Sequence, residues 1–213
     1  MPEQYKITSI EPQKKRKDRF SVFLDDSFAL GVSADVLLEF GLAQGQEISA
    51  AFLEKIRQAE EMARLREAAF RLLSYRARSV YELTMRLRQK QYDEHAVDRV
   101  VDEFVSKGYL DDLEFSMSFV RSRMALRPAA RKLLVHELAG KGVEGSVARQ
   151  AVEQAYGDTA ELDVARKLVQ KKSGIYRAGN AGDRKRLYSF LQRRGFAAGI
   201  IKQAIETEWE KEG

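Results

Sequence analysis

Cysteine is absent from the 213 residues, which excludes a disulfide framework and any thiolate metal centre and fits a reducing compartment. Histidine is nearly absent: His95 and His136 stand far apart, without a second ligand type at metal-binding spacing, so no metal and no cofactor are expected. No apolar run approaches the roughly 18 residues that a membrane span needs. The stretch from Met1 to Lys6 has no apolar signal core, and a cytoplasmic location is expected. Signatures of catalysis are missing as well. Gly142 and Gly145 lead only to Ser146, which is not a phosphate-binding G-x-x-x-x-G-K-[ST] loop, and no G-x-S-x-G elbow occurs. Asp111, Asp112 and Glu114 lack the ligand spacing of a calcium loop and fit a helix start instead. The expectation is a protein that is not an enzyme and has no catalytic residues.

What is present suits a folded chain, with 44% hydrophobic and 32% charged residues. Near the start, Phe20, Val22 and Leu24 alternate, then Phe28, Leu30 and Val32, with Asp25, Asp26 and Ser27 between them. This pattern predicts a β-hairpin with one buried face, and Ile7 and Ile10 supply a third strand. Ser33 is placed to cap a short helix through Phe40 that stops at Gly41. From Ser49 to about Tyr75 the apolar stripe of Phe52, Ile56, Ala59, Ala63, Ala69, Leu72 and Leu73 predicts one long helix.

The later chain repeats itself at a period of about 50 residues. Leu83, Leu87 and Tyr92 share offsets with Leu134, Leu138 and Val143, and again with Leu187, Leu191 and Phe196. Lys90-Gln91, Lys141-Gly142 and Arg194-Gly195 hold the turn position, and apolar residues at helical spacing follow each turn, ending at Trp209 in the third copy. A further helix precedes each pair: the stretch to Tyr75, then Leu113 to Met124, then Ala160 to Lys172. Capping boxes are expected at Ser79 with Glu82, Asp111 with Glu114, and Asp158 with Glu161. The reading is a mainly α protein of tandem three-helix, helix-turn-helix-like repeats in an elongated curved array with a small N-terminal β-hairpin or ribbon. Its expected divisions are 1–48 for the ribbon and short helix, then repeats at 49–110, 111–157 and 158–213.

Helix-turn-helix units in a chain of net charge +5 invite sequence-specific DNA reading, but the charges oppose it. The first copy's second helix carries Asp93, Glu94, Asp98, Asp102 and Glu103, the second copy's offers only Arg149, and the third ends in Glu206, Glu208, Glu210 and Glu212. Phosphates would repel such helices. Basic residues cluster elsewhere, at Arg121, Arg123, Arg127, Arg131 and Lys132, at Arg184, Lys185, Arg186, Arg193 and Arg194, and from Lys14 to Lys17. The first ten are the candidate contacts to an acidic partner or to DNA. Tyr176, in the stretch from Ser173 to Asp183 that is expected to be mobile, is the candidate exposed aromatic.

Three stretches then point to one family: Ala69-Phe-Arg-Leu-Leu-Ser-Tyr-Arg-Ala-Arg-Ser-Val-Tyr-Glu-Leu83, Lys107-Gly-Tyr-Leu-Asp-Asp112 with Phe115, and Phe119-Val-Arg-Ser-Arg123 running on to Glu137-Leu138 and Lys141-Gly-Val143. They resemble the RecX family, specifically over 69–143 and more loosely over 144–213. Where many relatives have glycine before the residues that open the second module's middle helix, this chain has Arg127-Pro128. The resemblance implies a cytoplasmic protein that lies along the groove of a RecA filament on DNA and inhibits its ATPase, strand-exchange and coprotease activities. The alternative of another class is a nonspecific nucleic-acid-binding helical module with no dedicated protein partner.

Overall fold

The computed structural model describes residues 4–14, 16–173, 175–176 and 180–208, with Lys17 and Ser173 described by their backbone alone. Trp209, Glu210, Glu212 and Lys15 therefore lie outside the described residues, as does much of the stretch expected to be mobile. Among the described residues there are four strands and ten helices, which confirms a mainly helical chain with a small N-terminal sheet. The chain forms two compact units, one of Met1–Arg76 with Arg86–Asp102, the other of Ala77–Met85 with Glu103–Gly213.

In the first unit, β1 (Gln4–Gln13), β2 (Arg16–Leu24), β3 (Ser27–Ser33) and β4 (Glu47–Ser49) form an antiparallel sheet in the order β3-β2-β1-β4. Asp25 and Asp26 both take positive φ, 49° and 63°, the two-residue hairpin turn that matches strand twist. Ser27 belongs to β3 rather than to the turn. Two bulges decide which side chains face the core. In β1 the pairing skips Thr8, so Ile7 opposite Leu24 and Ile10 opposite Val22 share a face despite their odd separation. In β3 the pairing passes from Val22–Leu30 to Phe23–Phe28 and skips Ala29. This reverses the phase at Phe28, which is 61% exposed, whereas strict alternation predicts it inside.

Helix α1 (Ala34–Glu39) starts at Ser33, whose hydroxyl accepts from Val36 N, and the chain leaves it through Gly41 at φ 56°. Helix α2 (Ala50–Tyr75) starts at Ser49, whose hydroxyl accepts from Phe52 N. The Ser33 cap lies where the sequence predicts it, and the long helix begins where its apolar stripe does. The core beneath the sheet joins Ile7, Val22, Leu24, Leu30, Val32, Val36, Ile48 and Ile56. Below it lies a buried charge network absent from the sequence reading. Glu60 accepts from Arg19 and from Arg64 Nε (2.8 Å) on one carboxylate oxygen and from Ser33 N (2.8 Å) on the other.

The boundary between units falls within α3 (Val80–Arg88) and α4 (Glu94–Ser106). The second unit continues through α5 (Asp112–Leu126), α6 (Arg131–Ala139), α7 (Gly145–Tyr156), α8 (Glu161–Ser173), α9 (Ala181–Arg193) and α10 (Ala198–Glu208). The repeat is exact in register. Leu83 and Leu87, Leu134 and Leu138, Leu187 and Leu191 are all fully buried. Gln91, Gly142 and Gly195 each take positive φ, 61°, 74° and 85°. A single apolar core runs from Phe115 and Val120 through Leu134, Ala148 and Val152 to Ala165, Leu187 and Ile201, so α5–α7 and α8–α10 are completed together.

Candidate partner and nucleic-acid interface

The ten candidate basic contacts sit in the second unit, and the way its modules interlock decides which of them face solvent. At the start of α3, Val80 N donates to Asp112 Oδ1 (2.8 Å), the first residue of α5. At the equivalent start of α6, Arg131 N donates to Glu161 Oε1 (2.7 Å), the first residue of α8. The turn after α6 docks on α3 through Ser79 Oγ donating to Lys141 O (2.6 Å), and the turn after α9 docks on α6 through Ala130 N donating to Arg194 O (2.9 Å). Helices α3 and α6, the middle helices of the first two modules, are thus capped from the following module. Ser79 also accepts from Glu82 N, and Asp111 accepts from Leu113 N and Glu114 N, which is the cap-residue half of the expected capping boxes. The third box does not form: α8 begins at Glu161 itself, whose carboxylate reaches α6 because Ala130 offers that helix no side-chain cap.

Around the start of α6 the structure gathers Arg123, Arg127, Arg131, Lys132, Arg193 and Arg194. Three of them are committed internally. Arg123 forms a two-pronged ion pair with Glu137, with nitrogen–oxygen distances of 2.9 Å, and also donates to Arg127 O. Arg131 stacks 4.0 Å over the Tyr156 ring, pairs with Glu153 at 3.2 Å and donates to the carbonyls of Gly157 and Thr159. The Tyr156 hydroxyl donates to Ala129 O, and its pKa is pushed up to about 12, by burial first and then by Glu161, with Arg131 opposing. Arg194 donates to Pro128 O (2.8 Å) and lies 5.1 Å over Phe190. Burial lowers its pKa, as do the like charges of Arg123 and Arg127, against the opposing pull of Glu137.

The remaining cations face solvent. Arg121 on α5, Arg127 at its end, Lys132 on α6 and Lys185 and Arg193 on α9 are exposed, and their side chains make no ion pair among the described residues. Arg184 and Arg186 are exposed too, with Arg186 paired to Asp183 at 3.0 Å. Arg193 follows Lys185 and Arg186 by eight and seven residues, so the three share the outer side of α9, away from Leu187 and Leu191. Tyr176, expected to be exposed, is half-buried and packs against the apolar core. The acidic residues Asp93, Glu94, Asp98 and Asp102 are exposed, and Asp98 is held by Arg88 at 2.9 Å. Among the described residues no cluster of three or more His, Asp or Glu could hold a metal ion, and no helix is long and apolar enough to cross a membrane.

Four family models match along the chain: the regulatory protein RecX N-terminal domain over residues 5–49 and the first, second and third RecX three-helix domains over 66–104, 111–152 and 159–205. The chain belongs to the RecX family. RecX relatives named regulatory protein RecX are similar over nearly the whole chain. That of Bacillus pumilus is 31% identical over 96% of this chain and 78% of its own length, and that of Oceanobacillus iheyensis is 29% identical over 94% and 76%. A crystal structure titled regulatory protein RecX has the same fold, with a TM-score of 0.75 at 24% identity, covering 95% of this chain and 99% of the other. The RecX structure from Lactobacillus salivarius matches 70% of this chain with a TM-score of 0.62 at 22% identity. In this RecX chain, the Gly142 and Gly195 turns belong to the second and third three-helix domains.

Proposed function

We propose that this protein binds the RecA filament on DNA and modulates it, chiefly by inhibiting its ATPase, strand-exchange and coprotease activities, with no catalysis of its own. The observation that carries this reading is membership of the RecX regulatory family through four successive domain matches between residues 5 and 205. A reducing cytoplasm, where RecA filaments assemble, suits a chain without cysteine. In this reading the working divisions are 1–48, 49–110, 111–157 and 158–213. Arg121, Arg127, Lys132, Arg184, Lys185, Arg186 and Arg193 contact phosphate or acidic protein groups of the filament, whereas Arg123, Arg131 and Arg194 hold the helices that present them.

The test is ATP hydrolysis by RecA on single-stranded DNA, with this protein titrated from well below stoichiometric amounts and RecA without DNA as the blank. Strong inhibition at low ratios is the expected result. No effect on hydrolysis, combined with tight binding to bare DNA, replaces the reading with a nonspecific nucleic-acid-binding module.

A further inference from the structure

The first unit carries a cationic groove that the family assignment leaves without a role. Along α2, Arg57, Arg64 and Arg71 recur every seven residues, which places them on one face about 10 Å apart. That face borders two clefts that share Gly31, Arg64 and Tyr92. One, of about 340 Å³, is lined by Arg16, Arg19, Arg64 and Arg71 with Phe28 and Tyr92; the other, of about 350 Å³, adds Arg57. Five arginines face three glutamates, Glu60, Glu61 and Glu67, and Asp18 pairs with Arg16, which leaves a net excess of one positive charge.

The unpaired cations have a definite location. Arg19 and Arg64 are consumed by buried Glu60, and Arg16 by Glu67 (2.8 Å) and Asp18 (3.1 Å). Arg57 and Arg71, at the two ends of the row, are exposed and have no ion pair among the described residues. Two flat faces accompany them: Phe28, turned out of the core by the β3 bulge and 61% exposed, and half-buried Tyr92. Unpaired cations about 21 Å apart along a helix, with aromatic rings lining the groove between them, match a chain of anions that also carries stackable rings.

We infer that this groove binds single-stranded nucleic acid, with backbone phosphates on Arg57 and Arg71 and unstacked bases against Phe28 and Tyr92. A duplex, whose bases are already stacked on each other, gains only the phosphate contacts there. The inference does not depend on RecA, and none of the residues lining the groove belongs to the cations of α5, α6 and α9.

The experiment uses the full chain and fluorescence anisotropy with a labelled 20-nucleotide oligothymidylate and a 20-base-pair duplex over a salt series. The double variant Arg57→Gln, Arg71→Gln is expected to bind the single strand at least tenfold more weakly at low salt, with the log–log salt slope shallower by about 1.4. Phe28→Ala is expected to weaken single-strand binding about fivefold or more and leave duplex binding within twofold. Circular dichroism of all variants checks that these exposed substitutions keep the fold. Oligothymidylate binding within twofold of the parent, with an unchanged slope, overturns the inference, as does an equal loss for duplex and single strand in Phe28→Ala. Loss of RecA inhibition by the parent chain would remove the filament reading and leave this result standing.

Discussion

Gly142 and Gly195 answer to a stricter demand than Gln91, although all three hold the same left-handed turn between paired helices. A Cβ at Gly195 would lie 2.7 Å from Leu133 Cβ, and one at Gly142 would meet the Tyr81 ring and Cβ at 2.2–2.6 Å. Both turns dock on the preceding module, whereas Gln91 is exposed and pays only for its φ. Gly195→Ala is therefore expected to destabilise by about 2–3 kcal/mol, backbone strain adding to overpacking. Gln91→Gly is expected to be neutral or to stabilise by up to about 1 kcal/mol. Urea denaturation of both variants checks the pair. The turn residues themselves were legible from the repeat, because offsets from the buried leucines mark them. The reason two of them are glycine was not, since the colliding atoms lie some 60 residues away along the chain.

Between elements, charges that look like solvent-facing polarity in the sequence act as fasteners. Glu60 is 4% exposed and fixes Arg19 of β2, the start of α1 at Ser33 and Arg64 of its own helix. Removing its charge leaves Arg19 buried without a counter-ion, so Glu60→Gln is expected to cost about 3 kcal/mol or more in the same denaturation measurement. Asp112 has the opposite electrostatic balance. Burial raises its pKa, Asp111 and Glu82 raise it further, and the bond from Val80 N only partly offsets them. A carboxyl whose folded-state pKa lies above its unfolded value contributes most at low pH, and that contribution is lost as pH rises through the folded pKa. At pH 7, Asp112→Asn keeps an acceptor for Val80 without the desolvated charge and should equal or exceed the parent, while Asp112→Ala loses the cap and about 1 kcal/mol. A stability advantage of Asp112→Asn that fails to shrink towards pH 3 would contradict this account. The helices and the caps at Ser33, Ser79 and Asp111 were readable from local pattern. Caps supplied from another helix were not, because Asp112 and Glu161 read as ordinary first-turn acids.

For the molecule as a whole, clustering of basic residues was visible in the sequence, but their division of labour was not. Arg123, Arg131 and Arg194 are engaged with Glu137, Tyr156 and Pro128, contacts between residues 14 to 66 positions apart. Charge reversal at Arg121, Lys132, Lys185 and Arg193 is expected to weaken RecA inhibition at least tenfold while the melting temperature stays within a few degrees. Arg131→Glu is expected to lower the melting temperature by itself, since it places a carboxylate against Glu153. Inhibition unchanged by the first set would remove these four residues from the interface. The capping of α3 and α6 by the module after each also bears on how the chain is made. As it emerges from the ribosome, Val80 finds its acceptor only after Asp112, 32 residues later, has appeared, and Arg131 waits 30 residues for Glu161. The first two modules then reach their finished state one step behind synthesis, each closed by the arrival of its successor.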